Sequence, residues 1–166
     1  MLNGLHFKKA YHLNTIKMST YTEEVGNKLN EILEKTYDAE KGYKKAANNT
    51  DNVALKTYFE NKAKQRYDFG HELKDEIISF GQEVDKGDSL TGKAHRAWMD
   101  IKAMFSSDDA EAMLEEAIRG EKAAIEEYEE VLTETSLPSS TSAVLRSQKN
   151  AIEKGLSNIK TLEDLA

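Results

Sequence analysis

The chain has 166 residues, 39% of them hydrophobic, with one Pro, nine Gly and no Cys. That is one ordinary domain with enough apolar material for a continuous core, and it excludes disulfides, thiolate metal sites and a cysteine nucleophile. The formal net charge of −7 disfavours anionic partners such as nucleic acid, and no stretch offers the roughly 20 consecutive apolar residues that cross a bilayer.

Sparse Pro and Gly beside abundant Ala, Leu, Glu and Lys predict an all-α protein. Met1 to Lys17 is basic and carries scattered apolar residues, without the apolar run and small-residue cleavage site of a secretory leader. Residues 1–20 are therefore expected to be an extension of the domain, Met18-Ser19-Thr20 reads as an alternative start, and a cytoplasmic location is expected. From residue 22 to 49, Val25, Leu29, Ile32, Leu33, Thr36, Tyr43, Ala46 and Ala47 recur at steps of three and four, which puts them on one helical face. The run Asn48-Asn49-Thr50-Asp51-Asn52 ends that helix, and Asp51 or Asn52 is placed to cap the next. Leu55, Phe59, Ala63, Phe69, Gly70, Leu73, Ile77 and Phe80 then predict a second helix over 53–80, stopped by Gly81.

Residues 81–108 read as a long crossover that begins polar and holds a short amphipathic helix around Leu90, Trp98, Ile101 and Phe105. A third helix is predicted over 109–134 through Met113, Leu114, Ala117, Ala124, Tyr128, Val131 and Leu132. A fourth follows over 138–163, opened by Pro138 and carrying Val144, Leu145, Ala151, Ile152, Ile159 and Leu162. Short turn, long crossover, short turn joins two antiparallel hairpins, and a bundle with one such crossover is the ferritin-like up-down-down-up arrangement.

Polar residues interrupt the inward stripes at mid-helix. Glu40 falls between Thr36 and Tyr43, Arg66 between Ala63 and Gly70, Glu121 between Ala117 and Ala124, and Gln148 between Leu145 and Ile152. Gln65 and Glu72 lie beside the Phe69 edge. Burying these groups unpaired is costly, so Glu40, Arg66, Glu121, Gln148, Gln65 and Glu72 are expected to form a buried polar network, to hold a cation, or to meet water. Arg66, with fixed charge and five donors, is suited to neutralise inward carboxylates.

The segments LNEILEKTYDAEKGYKKAA, KQRYDFGHEL, TGKAHRAWMDIKAMF and IRGEKAAIEEYEE, in this order, resemble a bacterial four-helix-bundle family of unknown function, the DUF2383 type, placed in the ferritin-like superfamily. The resemblance runs from about Glu24 to Leu162 and implies the fold more strongly than any reaction. Ferritin-like di-iron proteins use one Glu on each of two helices and Glu-x-x-His on the other two. Here Glu40 and Glu121 match the single carboxylates, but Arg66, Phe69, Gln148 and Ala151 stand where the Glu-x-x-His half-sites belong. Asp68 and His71 have ligand spacing but fall on the outward face, and His95 is expected to be a surface or crossover-packing residue.

These readings predict a non-catalytic bundle, stress-associated and structural or interacting, with a degenerate di-iron site and no cofactor. Self-association as a dimer is expected, with the Trp98 crossover as a candidate surface. The competing expectation is an iron-handling protein or oxidoreductase with an atypical carboxylate site at Glu40, Glu72 and Glu121. A small-molecule carrier with its pocket between the hairpins is a third. Tyr43, Tyr58, Tyr67 and Tyr128 are expected to be core or boundary aromatics.

Overall fold

Helix starts and stops obey local chemistry. In the computed structural model, which describes the backbone of residues 3–85 and 110–163 and the side chains of residues 17–85, 110–133 and 135–159, the first helix, α1, runs Asn3–Asn48. It begins well before the expected residue 22. No proline interrupts residues 3–21, so the backbone ladder continues through the segment that reads as an extension. Asn49 closes the helix through its N–H to the carbonyls of Lys45 and Ala46.

The second helix, α2, runs Val53–Ser79, and its start is set by Asn52. The Asn52 side-chain oxygen accepts from the N–H groups of Ala54 at 3.0 Å and Leu55 at 3.2 Å, satisfying two donors that the first turn leaves open. At the other end Gly81 adopts φ +68°, the left-handed region a side chain disfavours. Gly81 N–H bonds to Ile78 O and Gln82 N–H to Ile77 O, the paired bonds of a Schellman stop.

The segment after α2 is tied back onto α1. The buried amide of Asn30 donates to Glu83 O at 2.9 Å and accepts from Asp85 N–H at 3.0 Å. Gln82 lies on Gly26, where a Cβ would come within 2.4 Å of its Cγ, so the glycine supplies a close approach rather than a special dihedral. The expected amphipathic helix of the crossover, including His95 and Trp98, lies outside the described residues.

The third helix, α3, runs Ala110–Glu134, and the fourth, α4, runs Ser139–Glu163. Pro138 precedes α4, and its carbonyl accepts from Ser142 N–H at 2.9 Å. Among the described residues there are four helices and no strand.

The apolar stripes bury into two clusters. Tyr43, Ala46, Leu55, Phe59, Met113, Leu114 and Ile159 pack near the α1–α2 turn. Val25, Leu29, Leu73, Ile77, Tyr128, Val131, Leu145 and Ile152 pack toward the opposite end. Phe59, Leu29, Leu73 and Leu145 are fully buried, each contributing about 1.5–3 kcal/mol by transfer from water. The start of α3 therefore meets the end of α1. Conversely, Tyr21 near the start of the packed part of α1 donates to Ser136 O, beyond the end of α3, at 2.7 Å. Along each helix, Thr36, Arg66 and Glu121 fall between the residues of one cluster and those of the other.

Candidate functional site: a buried ion cluster

Glu121 has no exposed surface at all, and its partners come from α1 and α2. Arg66 of α2 places Nη2 2.6 Å from Oε2, with side-chain exposures of 3% and 0% for the pair. Tyr43 of α1 donates its hydroxyl to Oε1 at 2.5 Å. Lys62, one helical turn before Arg66, holds Nζ 3.4 Å from the same Oε1. A carboxylate this deep is tolerated because both oxygens face charged or hydroxyl donors.

The cluster holds two basic side chains against one carboxylate, and their electrostatics diverge. Burial opposes charge on Arg66, but the Glu121 carboxylate paired with it outweighs that and holds the guanidinium above its ordinary range. Burial dominates at Lys62 and lowers its pKa, with Arg66 adding to that and Glu121 only partly offsetting it. Tyr43 is pushed well above the usual phenol range by burial and by the adjacent Glu121 charge, so it stays a neutral donor.

The Lys62 ammonium occupies space that a glycine on the facing helix leaves open. A Cβ at the buried Gly155 of α4 would lie 1.8 Å from Nζ and 2.9 Å from Cε. The ammonium also sits 5.9 Å from the Tyr58 ring centre and 3.5 Å from Gln65 Oε1. Tyr58 has a buried hydroxyl with no hydrogen-bond partner among the described residues, and burial raises its pKa.

A second polar group lies further along α4. Gln148, 1% exposed, accepts from the Tyr128 hydroxyl at 2.7 Å and donates to Glu72 Oε2 at 2.7 Å and Phe69 O at 3.4 Å. Burial pushes Tyr128 up to about 12. The Arg66 guanidinium lies 5.4 Å from the Phe69 ring centre, so Phe69 borders both groups.

The six polar residues expected inside the bundle thus divide. Arg66 and Glu121 meet directly, and Gln148 meets Glu72 although Glu72 is an exposed residue. Gln65 Oε1 lies 3.5 Å from Arg66 Nη1, a long contact between neighbours on one helix. Glu40 is not brought to them: its carboxylate lies 2.6 Å from Lys44 on its own helix. Lys44, one turn further along α1, is the partner of this acid. Asp68 and His71 are both exposed, Asp68 paired with Lys64 at 2.8 Å and His71 edge-on to Tyr67. Lys62 escapes a reading by composition, since NKAKQ looks like a solvated face. Its register with Leu55, Phe59, Arg66, Phe69 and Leu73 was the available signal.

Iron does not fit this arrangement. Glu121 is already neutralised by Arg66, Glu40 turns to Lys44, and Glu72 is joined to Gln148, so the three candidate carboxylates do not converge. Among the described residues no group of three or more His, Asp or Glu side chains is placed to hold a metal ion. The cluster presents the fixed guanidinium of Arg66 where a di-iron centre needs acids and imidazoles.

Fold and site together define an all-helical protein in which, among the described residues, four helices enclose a Glu121 carboxylate held by the chain's own side chains. The profile of a domain of unknown function, DUF2383, matches residues 24–134, and the chain belongs to that family. No curated protein matches it. No described helix is long and apolar enough to cross a membrane.

Proposed function

We propose that this chain is a ferritin-like bundle of the up-down-down-up kind that serves as a non-catalytic structural or interaction protein, with the Glu121 cluster as a structural substitute for a metal centre. The observation that carries this reading is the fully buried Glu121 carboxylate, engaged by Arg66, Tyr43 and Lys62. The helix directions are supported by the Tyr21–Ser136 bond and by the packing of Met113 in one cluster with Tyr43. Both carboxylate oxygens of Glu121 are already engaged by donors of the chain itself, and neither is turned toward a substrate. The cluster instead joins three helices at one point.

The test is a metal analysis of protein purified without chelator, beside Arg66→Leu. The unmodified protein is expected to carry no stoichiometric iron. One or two tightly held iron ions per chain, lost on replacing Glu121, would overturn the reading in favour of an iron-handling protein.

A further inference from the structure

The seam between α1 and α3 is bridged by ion pairs at one end and open further along. Lys28 Nζ lies 3.7 Å from Glu130 Oε1, and one to two turns on Lys35 Nζ lies 2.6 Å from Glu127 Oε1. The next turn of α1 presents Asp38, where the sequence continues with Ala39 and Gly42, and the facing turn of α3 is Gly120, Ala123 and Ala124. A cavity of about 310 Å³ lies there. Small residues form much of its wall; Lys35 and Glu127, paired with each other, and Glu116, paired with Arg119, are also part of it, and a Cβ built on Gly120 would meet nothing within 4 Å.

Asp38 is the odd member of the series. Its side chain is only 15% exposed, yet its cation among the described residues is Lys41, on its own helix and 4.0 Å away. Burial accordingly raises its pKa, with Lys41 offsetting only part of that. Arg66 and Tyr43 also line the cavity, but both are committed to Glu121. The position therefore has an apolar slot, a part-buried carboxylate and, among the described residues, no ion pair from Asp38 across the seam to match those of Lys28 and Lys35.

We propose that this slot binds a small alkylammonium or arylalkylammonium ligand, its hydrocarbon body between Ala39, Gly42, Ala123 and Ala124 and its ammonium on the Asp38 carboxylate. The volume matches small-molecule sites, which run from about 300 to 1,000 Å³, whereas a partner helix roughly 10 Å across cannot enter it. Charge selects the head group, since an anionic end would be repelled by the Asp38 carboxylate and a neutral end would add nothing to the 4.0 Å pair with Lys41. Ammonium alone would leave the slot empty, and burial of an aliphatic body is what drives binding into apolar walls.

The experiment is calorimetric titration of the full chain with octylammonium chloride, with octanoate and 1-octanol as probes of matched length. One octylammonium per chain is expected to bind, with octanoate not binding and 1-octanol at least tenfold weaker. Asp38→Asn should weaken octylammonium at least tenfold, and Gly120→Leu, which fills the slot from an open helical position, should abolish binding. Circular dichroism checks that both variants keep their helix content. Absence of octylammonium binding, equal affinity for 1-octanol, or undiminished affinity in Asp38→Asn would each overturn the proposal. So would a changed sedimentation coefficient of the ligand-free variants, which would make this face a contact between copies of the chain.

Discussion

Replacing Glu121 with Leu tests the cluster most directly. The substitution keeps roughly the side-chain volume and removes the carboxylate that pairs with Arg66, which is 3% exposed and cannot shed its proton. Lys62 has an escape, because its pKa is already lowered and it can become a neutral amine. The penalty therefore falls mainly on Arg66, with the Tyr43 hydroxyl losing its acceptor as well. Removing one partner of a buried pair costs about 3–5 kcal/mol, and no discount for solvent screening applies at these exposures. Against a total stability of roughly 5–15 kcal/mol this is a large share. At about 2–4 °C per kcal/mol for a chain of this size, Tm should fall by roughly 6–20 °C. Urea unfolding followed by helical circular dichroism measures it, together with the double variant Arg66→Leu/Glu121→Leu. The double variant should recover most of the loss, since neither charge is left alone. A loss below about 1 kcal/mol for Glu121→Leu, or a double variant as unstable as the two singles added, would refute the account of the cluster.

Two further outcomes rest on the same geometry. Gly155→Ala displaces the Lys62 ammonium from its place beside Glu121, because the new Cβ would lie 1.8 Å from Nζ, so its gain in stability should be smaller than the up to about 1 kcal/mol of helix propensity it reaches in a Lys62→Ala background, read from urea midpoints. Tyr43, Tyr58 and Tyr128 all have pKa values raised from 10.0 in the folded chain, so above pH 10 the unfolded state releases protons that the native state keeps, and stability falls as pH rises through that window. Lys62 acts with the opposite sign: its lowered pKa means that stability rises as pH climbs toward 10.5. Absorbance at 295 nm should show the tyrosinates of these three residues appearing together with loss of helix, and tyrosinate formation ahead of unfolding in a variant that retains only these tyrosines would contradict their burial.

The helices were legible because their stripes are long and regular. Val25, Leu29, Ile32 and Leu33 on α1, and Leu55, Phe59, Leu73 and Ile77 on α2, are buried as their spacing requires. Arg66, Glu121 and Gln148 stood out because each interrupts such a stripe, and each is buried. Periodicity could not reveal partners. It treats Glu40 like Glu121, although a lysine four residues on captures the first, and it cannot see that Gly155 clears a place for Lys62. Nor does it reach Asn30 or Thr141, buried polar residues whose partners are Glu83, Asp85 and Glu76 in distant parts of the chain. The start of α1 differed for another reason: a change of composition near Met18 is not a helix breaker.

The convergence of Tyr43, Arg66 and Glu121 from three different helices has a consequence for assembly. Leucines and alanines repeat every turn, so two hairpins joined by apolar packing alone can settle in neighbouring alignments displaced by about 5.4 Å. A displacement of one turn would present Ala117 or Ile125 to Arg66 in place of Glu121 and strand both charges in hydrocarbon. The lone carboxylate thus acts as an index mark, making the correct longitudinal setting of one hairpin on the other the only one in which the interior is electrically neutralised around Arg66.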